Sequence, residues 1–388
     1  MTHNEISLSY GQIASLALKK PSRVVFIGPA GGRFTGNVKH LFLYCVRHRP
    51  EIDAHFFTCH PPTFKMLRDA DLPVHLFPDF DAVAHIAEAS TIVVDHFNFK
   101  EDLYAPLTEC AHVIQLWHGV GFKEIGFVEK DSNPAHKNMS LDFEHLYSGY
   151  HTVVSTSPFY TQEVFKKSFR AEHFVDLGYP RNDALFQRVT KDSMLNCDYA
   201  AFRKTGMLKK ELKTVLYVPT FRDDRESSFA GRLDLDRLNS FLVQSGLHLV
   251  IKAHPILEER IPDNLPNITH YDNACDVYPF MQLADVMLTD YSSIYMDYLM
   301  LNRPVVFFCP DYDRYVTNNR KLQFPYEEMT PGPKCRTQDE LHAALAKAAS
   351  GDDGYEQERI ALRDKAFLHP DGDSSRRVAD YLCKIMPD

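Results

Sequence analysis

The chain has 388 residues, of which 44% are hydrophobic and 24% are charged, and its formal net charge is −9. This length exceeds one ordinary domain and the composition is that of a globular protein, so we expect two domains. The negative charge argues against a general nucleic-acid binder and against a strongly cationic membrane-surface protein.

Cysteine usage and the N-terminus bear on the compartment. The eight cysteines are scattered and form no Cys-x-x-Cys pair, which favours free thiols in a reducing cytosol over disulfides or a zinc site. The N-terminus lacks a charged segment followed by an apolar core, so no cleaved signal peptide is expected. No apolar run reaches the roughly 18 to 20 residues of a membrane-spanning helix. We therefore expect a cytoplasmic protein, at most peripheral on the inner face of the cell membrane.

The first half of the chain alternates short apolar strands with helical segments. This alternation predicts a parallel sheet with helices on both faces. The loop PAGGRFTGN after the first strand is rich in glycine but lacks the G-x-G-x-x-G spacing of a dinucleotide site, so a ligand loop and a plain flexible loop both stay open. The predicted strands are 23–28, 54–58, 74–77, 91–95 and 112–117, and the predicted helices between them are 38–46, 62–70 and 82–89.

A histidine ends the last of these strands. In QLWHGVGFKEIGF, His118 follows the strand directly and Gly119 follows His118. Open parallel sheets bind ligands at the C-terminal edge of their strands. Because the ordinary pKa of histidine is near neutrality, His118 could take a proton from an attacking hydroxyl. The alternative is a histidine that only hydrogen-bonds a neighbouring loop.

A polar segment at residues 191–213, which we expect to be helical, leads into a second alternating series. We therefore divide the chain into an N-terminal domain at residues 1–190 and a C-terminal domain at residues 191–365. Residues 366–388 are expected to form a C-terminal helix that packs back toward the N-terminal domain.

Three strands of the second series end in polar residues of the kind that bind phosphate. Each such ending is easily a helix cap, but three in succession on one sheet edge favour a diphosphate or nucleotide site. In the last of them, a strand, turn, helix and strand unit spans 284–309, and the turn offers free backbone N–H groups and two hydroxyls to an anion. The residues concerned are Thr220 and Arg222, then Lys252 and His254, and finally Asp290, Ser292 and Ser293.

These motifs resemble those of the CDP-glycerol glycerophosphotransferases, which build teichoic acids and related glycerol-phosphate polymers. The resemblance runs in the family's order over nearly the whole chain, and the combination of WHG, HP and TDYSS is specific. The matching segments are GGRFTGN, QLWHGVGFKEIGF, STSPFYTQEVF, GYPRNDALF, YVPTFRDD, IKAHP, ADVMLTDYSSIYMDYLMLNRPVVFF and DGDSSRRV.

The resemblance implies a GT-B-like α/β fold, with two doubly wound Rossmann-type domains facing across a cleft. It makes residues 1–190 the acceptor-side domain and residues 191–365 the nucleotide-donor domain. By motif position it makes His118 the catalytic base and His254 the second catalytic histidine, near the donor phosphates. Ser292 and Ser293 become the pyrophosphate-binding pair, with Asp290 shaping their turn. Arg222 and Lys252 also belong to the donor site, and Gly119, Thr220 and Asp297 support it.

The implied reaction transfers glycerol phosphate, or a related alditol phosphate, from a CDP-alditol to an acceptor hydroxyl with release of CMP. The acceptor would be a lipid-linked or polymeric glycan or glycerol-phosphate chain, in teichoic acid or capsule-like polymer synthesis. The resemblance implies no required cofactor or metal, because the helix end and the cationic groups can neutralise the leaving nucleotide. Two alternatives stay open: a nucleotide-sugar glycosyltransferase or epimerase on the same fold, and a non-catalytic nucleotide-binding module.

Overall fold

The computed structural model describes residues 3–132, 142–220, 233–253, 264–318 and 321–386. The chain divides into two compact units. Unit 1 consists of Met1–His118, Ile125–Leu195 and Ala366–Asp388, and unit 2 consists of Gly119–Glu124 and Asn196–Lys365. The residues from 119 to 124 therefore belong to unit 2, although they lie inside the segment assigned to the first domain from the sequence.

The strands of the described residues are short and pair in parallel. In chain order they are β1 (Lys20–Ile27), β2 (Asp53–Thr58), β3 (Val74–Leu76), β4 (Ala89–Val94), β5 (His112–Gln115), β6 (Tyr150–Ser155), β7 (Ala171–Asp176), β8 (Lys213–Val218), β9 (Leu247–Ile251), β10 (Ile268–His270), β11 (Val286–Thr289), β12 (Val305–Phe308) and β13 (Lys334–Cys335).

Helices connect these strands. In chain order the α-helices are α1 (His3–Leu16), α2 (Pro29–Gly32), α3 (Gly36–His48), α4 (Pro61–Arg68), α5 (Phe80–Glu88), α6 (Gly126–Ser132), α7 (Phe143–Tyr147), α8 (Pro158–Tyr160), α9 (Lys166–Ser168), α10 (Tyr199–Leu208), α11 (Leu235–Gln244), α12 (Tyr278–Met281), α13 (Ile294–Tyr298), α14 (Tyr312–Asn318), α15 (Tyr326–Met329), α16 (Gln338–Ala349), α17 (Glu356–Ala366) and α18 (Ser374–Ile385). Short 3₁₀ turns at Asn98–Glu101, Ala105–Thr108, Pro180–Leu185 and Leu299–Leu301 and a π-helical turn at Thr161–Phe165 complete the described elements.

The described part of unit 1 contains a seven-stranded sheet in the order β3-β2-β1-β4-β5-β6-β7. Strands buried on both faces need continuous apolar runs, which explains why the central strands β1 and β4 are recognisable in the sequence. On one face, Phe26 and Phe56 pack edge-on against Phe42 of α3, with ring centroids 5.5 Å and 5.4 Å from the Phe42 ring. The strand order reverses between β1 and β4, and the loops after these two strands therefore leave the sheet on opposite sides.

Helix α18 completes the core of unit 1. Its apolar residues Val378, Ala379 and Leu382 are buried in the same cluster as the strands and α3. The buried carboxylate of Asp183 accepts hydrogen bonds from the backbone N–H groups of Ser374 and Ser375, at 2.8 Å and 2.7 Å. These N–H groups have no partner inside the helix, so a carboxylate far away in sequence caps α18.

The described part of unit 2 contains a six-stranded sheet in the order β10-β9-β8-β11-β12-β13. Its core lies between the strands, represented by Leu249 and Leu288, and the helices α11 and α16, which contribute Leu238 and Leu345. The chain runs outward from β8 to β10 and then returns to place β11 beside β8. The switch point of this sheet is therefore the crevice between the ends of β8 and β11.

The segment Gly119–Glu124 is held in unit 2 by backbone pairing. Phe122 accepts a hydrogen bond from the N–H of Gln323 at 2.7 Å, and Glu124 donates one to the carbonyl of Lys321 at 3.1 Å. Phe122 is 1% exposed, and its ring packs edge-on against that of Tyr326 at 5.4 Å. Backbone pairing and one buried aromatic ring thus fix this short segment.

The expected α/β class with two doubly wound parallel sheets is confirmed. Helix α1 and the short strands β10 and β13 were not predicted from the sequence. Among the described residues, no helix combines the length and the apolar composition needed to cross a membrane.

We predict that Asp183→Ala loosens α18. Burial raises the pKa of Asp183 to about 6, so its carboxylate is ionised at pH 8. Loss of the carboxylate leaves two buried N–H groups without an acceptor but also removes the desolvation cost that raises the pKa, so the variant should lose on the order of 1–3 kcal/mol. Urea unfolding at pH 8 measures the loss, and hydrogen exchange of the amides of α18 should accelerate.

Asp373→Ala is the matched control, because Asp373 stands at the N-cap of α18 but its side chain makes no capping hydrogen bond. Equal destabilisation by the two variants would contradict the capping role of Asp183.

Candidate functional site

The loops after β8, β9 and β11 lie on one edge of the unit 2 sheet, because these three strands are parallel neighbours. They carry Thr220, Lys252 and Asp290, respectively. Arg222 and His254, which the sequence analysis assigned to the same edge, lie outside the described residues. The structure therefore gives the position of only part of the predicted phosphate-binding set.

Asp290 organises the switch point of unit 2. It is 1% exposed, and its Oδ1 accepts hydrogen bonds from the backbone N–H of Thr220 at 2.8 Å and from the Thr220 hydroxyl at 2.6 Å. The same oxygen accepts a third hydrogen bond, from the N–H of Tyr291 at 2.6 Å. A buried carboxylate has to be satisfied in this way, and the result ties the end of β8 to the turn after β11.

The two serines of this turn are half-buried and lead into α13. Ser293 occupies the N-cap position, but its side chain makes no capping hydrogen bond. The Ser292 hydroxyl is 3.5 Å from the N–H of Ile294, which is the upper limit for a hydrogen bond. Helix capping was the main alternative to a role of the Ser293 hydroxyl in anion binding. Because the Ser293 side chain makes no capping hydrogen bond, capping does not account for it.

The glycine-containing segment that follows His118 in the chain packs against this turn. A Cβ atom added to Gly121 would lie 3.0 Å from the Cβ of Ser293, closer than most real contacts. Only a residue without a side chain fits here without displacing the serine. The sequence analysis assigned no role to Gly121.

Lys252 turns toward the β10 side of the edge. Its Nζ donates a hydrogen bond to the carbonyl of Asn273 at 3.1 Å. Burial lowers the pKa of Lys252, and the nearby carboxylate of Asp276 acts in the opposite direction. The ammonium group is thus partly engaged by protein oxygens.

Asp297 is fully buried on α13. Its Oδ2 accepts a hydrogen bond from the hydroxyl of Tyr278 at 2.7 Å, which links α13 to α12. This contact makes Asp297 a support for the helix that follows the serine turn.

His118 belongs to unit 1 and follows β5. Its Nδ1 lies 3.2 Å from the carbonyl oxygen of Asp95 at the end of β4. A carbonyl can only accept, so this contact assigns the proton to Nδ1 and leaves Nε2 with a lone pair. This tautomer is the one that a general base requires.

The surroundings also keep His118 uncharged. Desolvation lowers the pKa of His118 to about 4, and the positive charge of Arg181 acts in the same direction against the opposing influence of Asp95. The residue still has an exposed face. The imidazole is therefore in the unprotonated form that a base needs over a wide pH range, while its low pKa also reduces the driving force for taking up a proton.

The backbone around His118 is anchored by residues to which the sequence analysis gave no role. Asn37, which is fully buried, donates from its side-chain amide to the carbonyl of Trp117 at 2.7 Å and accepts from the N–H of Arg181 at 3.1 Å. Arg181 donates from Nη1 to the carbonyl of His118 at 2.7 Å. Trp117 has φ of 57°, a strained value for a residue with a side chain, and these bonds hold it there.

The signal for these anchors was present in the sequence. Asn37 and Arg181 lie in the segments GGRFTGN and GYPRNDALF. Both segments contributed to the family resemblance, but polar residues in loops have no periodicity from which a partner could be inferred.

The family model described as CDP-Glycerol:Poly(glycerophosphate) glycerophosphotransferase matches residues 9–384. The chain belongs to this family. It is 25% identical to a teichoic acid poly(glycerol phosphate) polymerase of Bacillus spizizenii, over 96% of this chain and 94% of the relative. It is also 27% identical to a teichoic acid ribitol-phosphate primase of the same species, over 79% of this chain and 78% of the relative.

Solved structures agree on the fold. The wall teichoic acid polymerase TagF is 22% identical, with a TM-score of 0.79 over 99% of this chain and 93% of that chain. MnaA of S. aureus, in a structure with UDP, is 12% identical, with a TM-score of 0.56 over 94% of this chain and 98% of that chain. These likenesses confirm the expected GT-B-like fold of the family member.

We predict that Ser293→Ala lowers the affinity for CDP and leaves stability nearly unchanged. Because the Ser293 hydroxyl caps nothing, its loss should alter the free energy of unfolding by less than about 0.5 kcal/mol. If the hydroxyl donates to a phosphate, CDP binding should weaken by about 0.5–1.5 kcal/mol, the net value of one hydrogen bond. Urea unfolding and calorimetric titration with CDP give the two numbers.

Thr337→Ala provides the comparison, since Thr337 caps α16 in a full capping box with Glu340. That variant should lose about 1 kcal/mol of stability and keep its affinity for CDP. A Ser293→Ala variant that behaves like Thr337→Ala would make Ser293 a structural cap.

Proposed function

We propose that this protein transfers an alditol phosphate, glycerol phosphate in the first instance, from a CDP-alditol to an acceptor hydroxyl and releases CMP, in teichoic acid synthesis. The observation that carries the proposal is the family match over residues 9–384. Relatives named for glycerol-phosphate and for ribitol-phosphate transfer have nearly equal identity, 25% and 27%, so the donor is proposed as a class.

In this proposal, unit 2 binds the donor diphosphate. The turn that Asp290 fixes presents backbone N–H groups and the hydroxyls of Ser292 and Ser293 at the switch point of a doubly wound sheet, where such folds bind nucleotides. Arg222, Lys252 and His254 would add positive charge and hydrogen-bond donors. Phosphoryl transfer depends mainly on positioning and on stabilising developing negative charge, and groups of this kind supply both.

In this proposal, unit 1 supplies the general base. The Nε2 lone pair of His118 takes the proton of the acceptor hydroxyl as the acceptor oxygen bonds to the β-phosphorus of the donor. The bond from that phosphorus to the oxygen of CMP breaks, and CMP leaves with the electron pair. Arg181 and Asn37 act as positioning residues, since they hold the backbone on either side of the imidazole.

The acceptor is proposed to be a lipid-linked or polymeric glycan or glycerol-phosphate chain, reached by peripheral contact with the inner face of the membrane.

No divalent ion is needed at the phosphates in this proposal, because the turn and the cationic residues neutralise the leaving group. Transfer should therefore persist in buffer without Mg²⁺.

A donor panel tests the reaction class. The purified chain is incubated with an acceptor extract and with CDP-glycerol, CDP-ribitol, UDP-sugars or GDP-sugars, and the released nucleotide is measured. Release of CMP from a CDP-alditol is expected. Release of UDP or GDP would identify a glycosyltransferase or an epimerase, and CDP binding without turnover would indicate a binding module.

The pH profile tests the base. His118 must be unprotonated to act, so kcat/KM should fall only as pH drops through the pKa of His118, which is about 4, and should stay level from pH 8 to pH 5.5. An ordinary histidine would place this fall near pH 6.5.

His118→Gln should lose roughly 10²–10⁴-fold in kcat while keeping its affinity for CDP-glycerol.

His173→Gln removes an exposed histidine of unit 1 and should leave both the rate and the pH profile unchanged. Normal turnover by His118→Gln, or an acidic limb that the variant retains, would mean that the base is another group.

A further inference from the structure

Three histidines of unit 1 converge on the face of the sheet that α5 covers. His55 lies on β2, His75 on β3 and His85 on α5, and all three are half-buried. One ligand nitrogen from each lies within 4.8 Å of the other two. None of the three belongs to the site proposed for transfer. We propose that His55, His75 and His85 bind one divalent transition-metal ion of the zinc class.

The hydrogen bonds of two of the rings leave the required nitrogen unprotonated. Nε2 of His55 donates to Oδ1 of Asp53 at 2.8 Å, so Nδ1 carries the lone pair. Nδ1 of His85 lies 2.7 Å from the carbonyl oxygen of Asp81, which only accepts, so Nε2 carries the lone pair. Nε2 of His75 lies 3.0 Å from Nδ1 of His55, and because that nitrogen of His55 is the acceptor, the Nε2–H of His75 donates to it. A metal ion bound between the rings would replace this hydrogen bond, and the proton of His75 would then lie on Nδ1.

The contact between His55 and Asp53 is the outer support that metal-binding histidines usually have. A carboxylate that accepts the other ring N–H fixes the orientation of the imidazole and raises its basicity. Asp53 is itself fixed, because its Oδ2 accepts from Nε of Arg23 at 2.8 Å. Arg23 also pairs with Glu88 at 2.6 Å, so the positive charge near the cluster is balanced by two carboxylates.

Burial also favours the neutral form of two of the rings, which is the form that binds a metal. Desolvation, followed by the neighbouring histidines, lowers the pKa of His75 to about 3, and desolvation also lowers the pKa of His55. A neutral imidazole presents its lone pair to a metal without first losing a proton.

Imidazole ligands indicate the class of ion. They suit zinc, copper, nickel and iron, whereas Mg²⁺ and Ca²⁺ prefer oxygen. Two nitrogens on a tetrahedral zinc ion are roughly 3.3 Å apart, from Zn–N distances of about 2.0–2.1 Å. The rings of His75 and His85 are stacked, with centroids 3.7 Å apart and planes inclined by 24°, so binding requires them to turn until their lone pairs converge. Water would complete the coordination.

Such an ion would fix an edge of the unit 1 sheet. Strand β3 is the terminal strand and has only three residues, each of them half-buried. The three ligands would join β3 to β2 and to α5. The binding free energy would then add to the stability of the folded state.

A second group provides the internal comparison. His151, Glu172 and His173 also bring ligand atoms within 4.8 Å of one another, but Glu172 and His173 are exposed. Nδ1 of His151 contacts the hydroxyl of Thr152 at 2.8 Å. In the described contacts no carboxylate supports a ring of this group, so we expect it to bind metal weakly.

The test uses the untagged full chain after dialysis against a chelator. Calorimetric titration with Zn²⁺ should show one tight equivalent per chain, and Zn²⁺ but not Mg²⁺ should raise Tm. Co²⁺ should bind with the visible absorption bands of a tetrahedral site. His85→Gln should abolish the tight equivalent, and Asp53→Asn should weaken it by about 10–100-fold, the usual cost of losing an outer partner.

His173→Gln is the matched control and should retain the tight equivalent. Circular dichroism of each variant without metal confirms that it is folded, and His75→Gln is an alternative should His85→Gln fail to fold. The proposal is overturned if the chain shows no saturable uptake of Zn²⁺, if His85→Gln binds as tightly as the unmodified chain, or if His173→Gln is the variant that loses binding. Because the readouts are metal binding and Tm, failure here leaves the proposed transfer reaction untouched.

Discussion

One oxygen atom, Oδ1 of Asp290, joins the two strands between which the sheet of unit 2 reverses its order. It accepts three hydrogen bonds, two from Thr220 and one from Tyr291. Because the carboxylate is buried, loss of any of these bonds would leave a charge or an N–H group without compensation in a medium of low dielectric constant. The turn therefore has one favourable conformation, and Ser292 and Ser293 begin α13 from a fixed position. The order of the strands determines where this turn lies in unit 2, and the carboxylate of Asp290 makes the turn rigid.

Unit 1 achieves a similar result with an uncharged group. The side-chain amide of Asn37 links the backbone at Trp117 to that at Arg181, and thus joins three loops that are far apart in sequence. An amide can donate and accept at once, which a carboxylate cannot, and it brings no charge next to His118. The two units therefore use different chemistry to hold their functional loops: unit 2 concentrates hydrogen-bond donors around an anion, and unit 1 keeps an imidazole neutral.

The features that could be predicted from the sequence have causes within a short segment, whereas most of those that were missed depend on contacts between distant segments. Buried parallel strands need continuous apolar runs, so β1, β8 and β11 were predictable to within a few residues, and with them the fold class. Strands β10 and β13 have three and two residues, and their sequences ITH and KC contain no apolar run. Strand β3 is as short as β10 but was predicted, because VHLF at 74–77 has three apolar residues in four. The pairing of Phe122 with Gln323 and the convergence of His55, His75 and His85 depend on the folded chain, so no local spacing reveals them. The roles of the predicted site residues, including Arg222 and His254, stay predictions.

The path of the chain has a consequence for how such a protein could be divided or recombined. Neither unit is a continuous stretch of sequence, since unit 2 takes Gly119–Glu124 from within unit 1, and unit 1 takes its last helix from beyond unit 2. A gene fragment that encodes only Asn196–Lys365 would lack the segment that pairs with Lys321 and Gln323, and a fragment that ends at Leu195 would lack the helix that Asp183 caps. Exchange of one half between relatives would therefore separate each unit from a segment that belongs to it, so the two halves are expected to be inherited together.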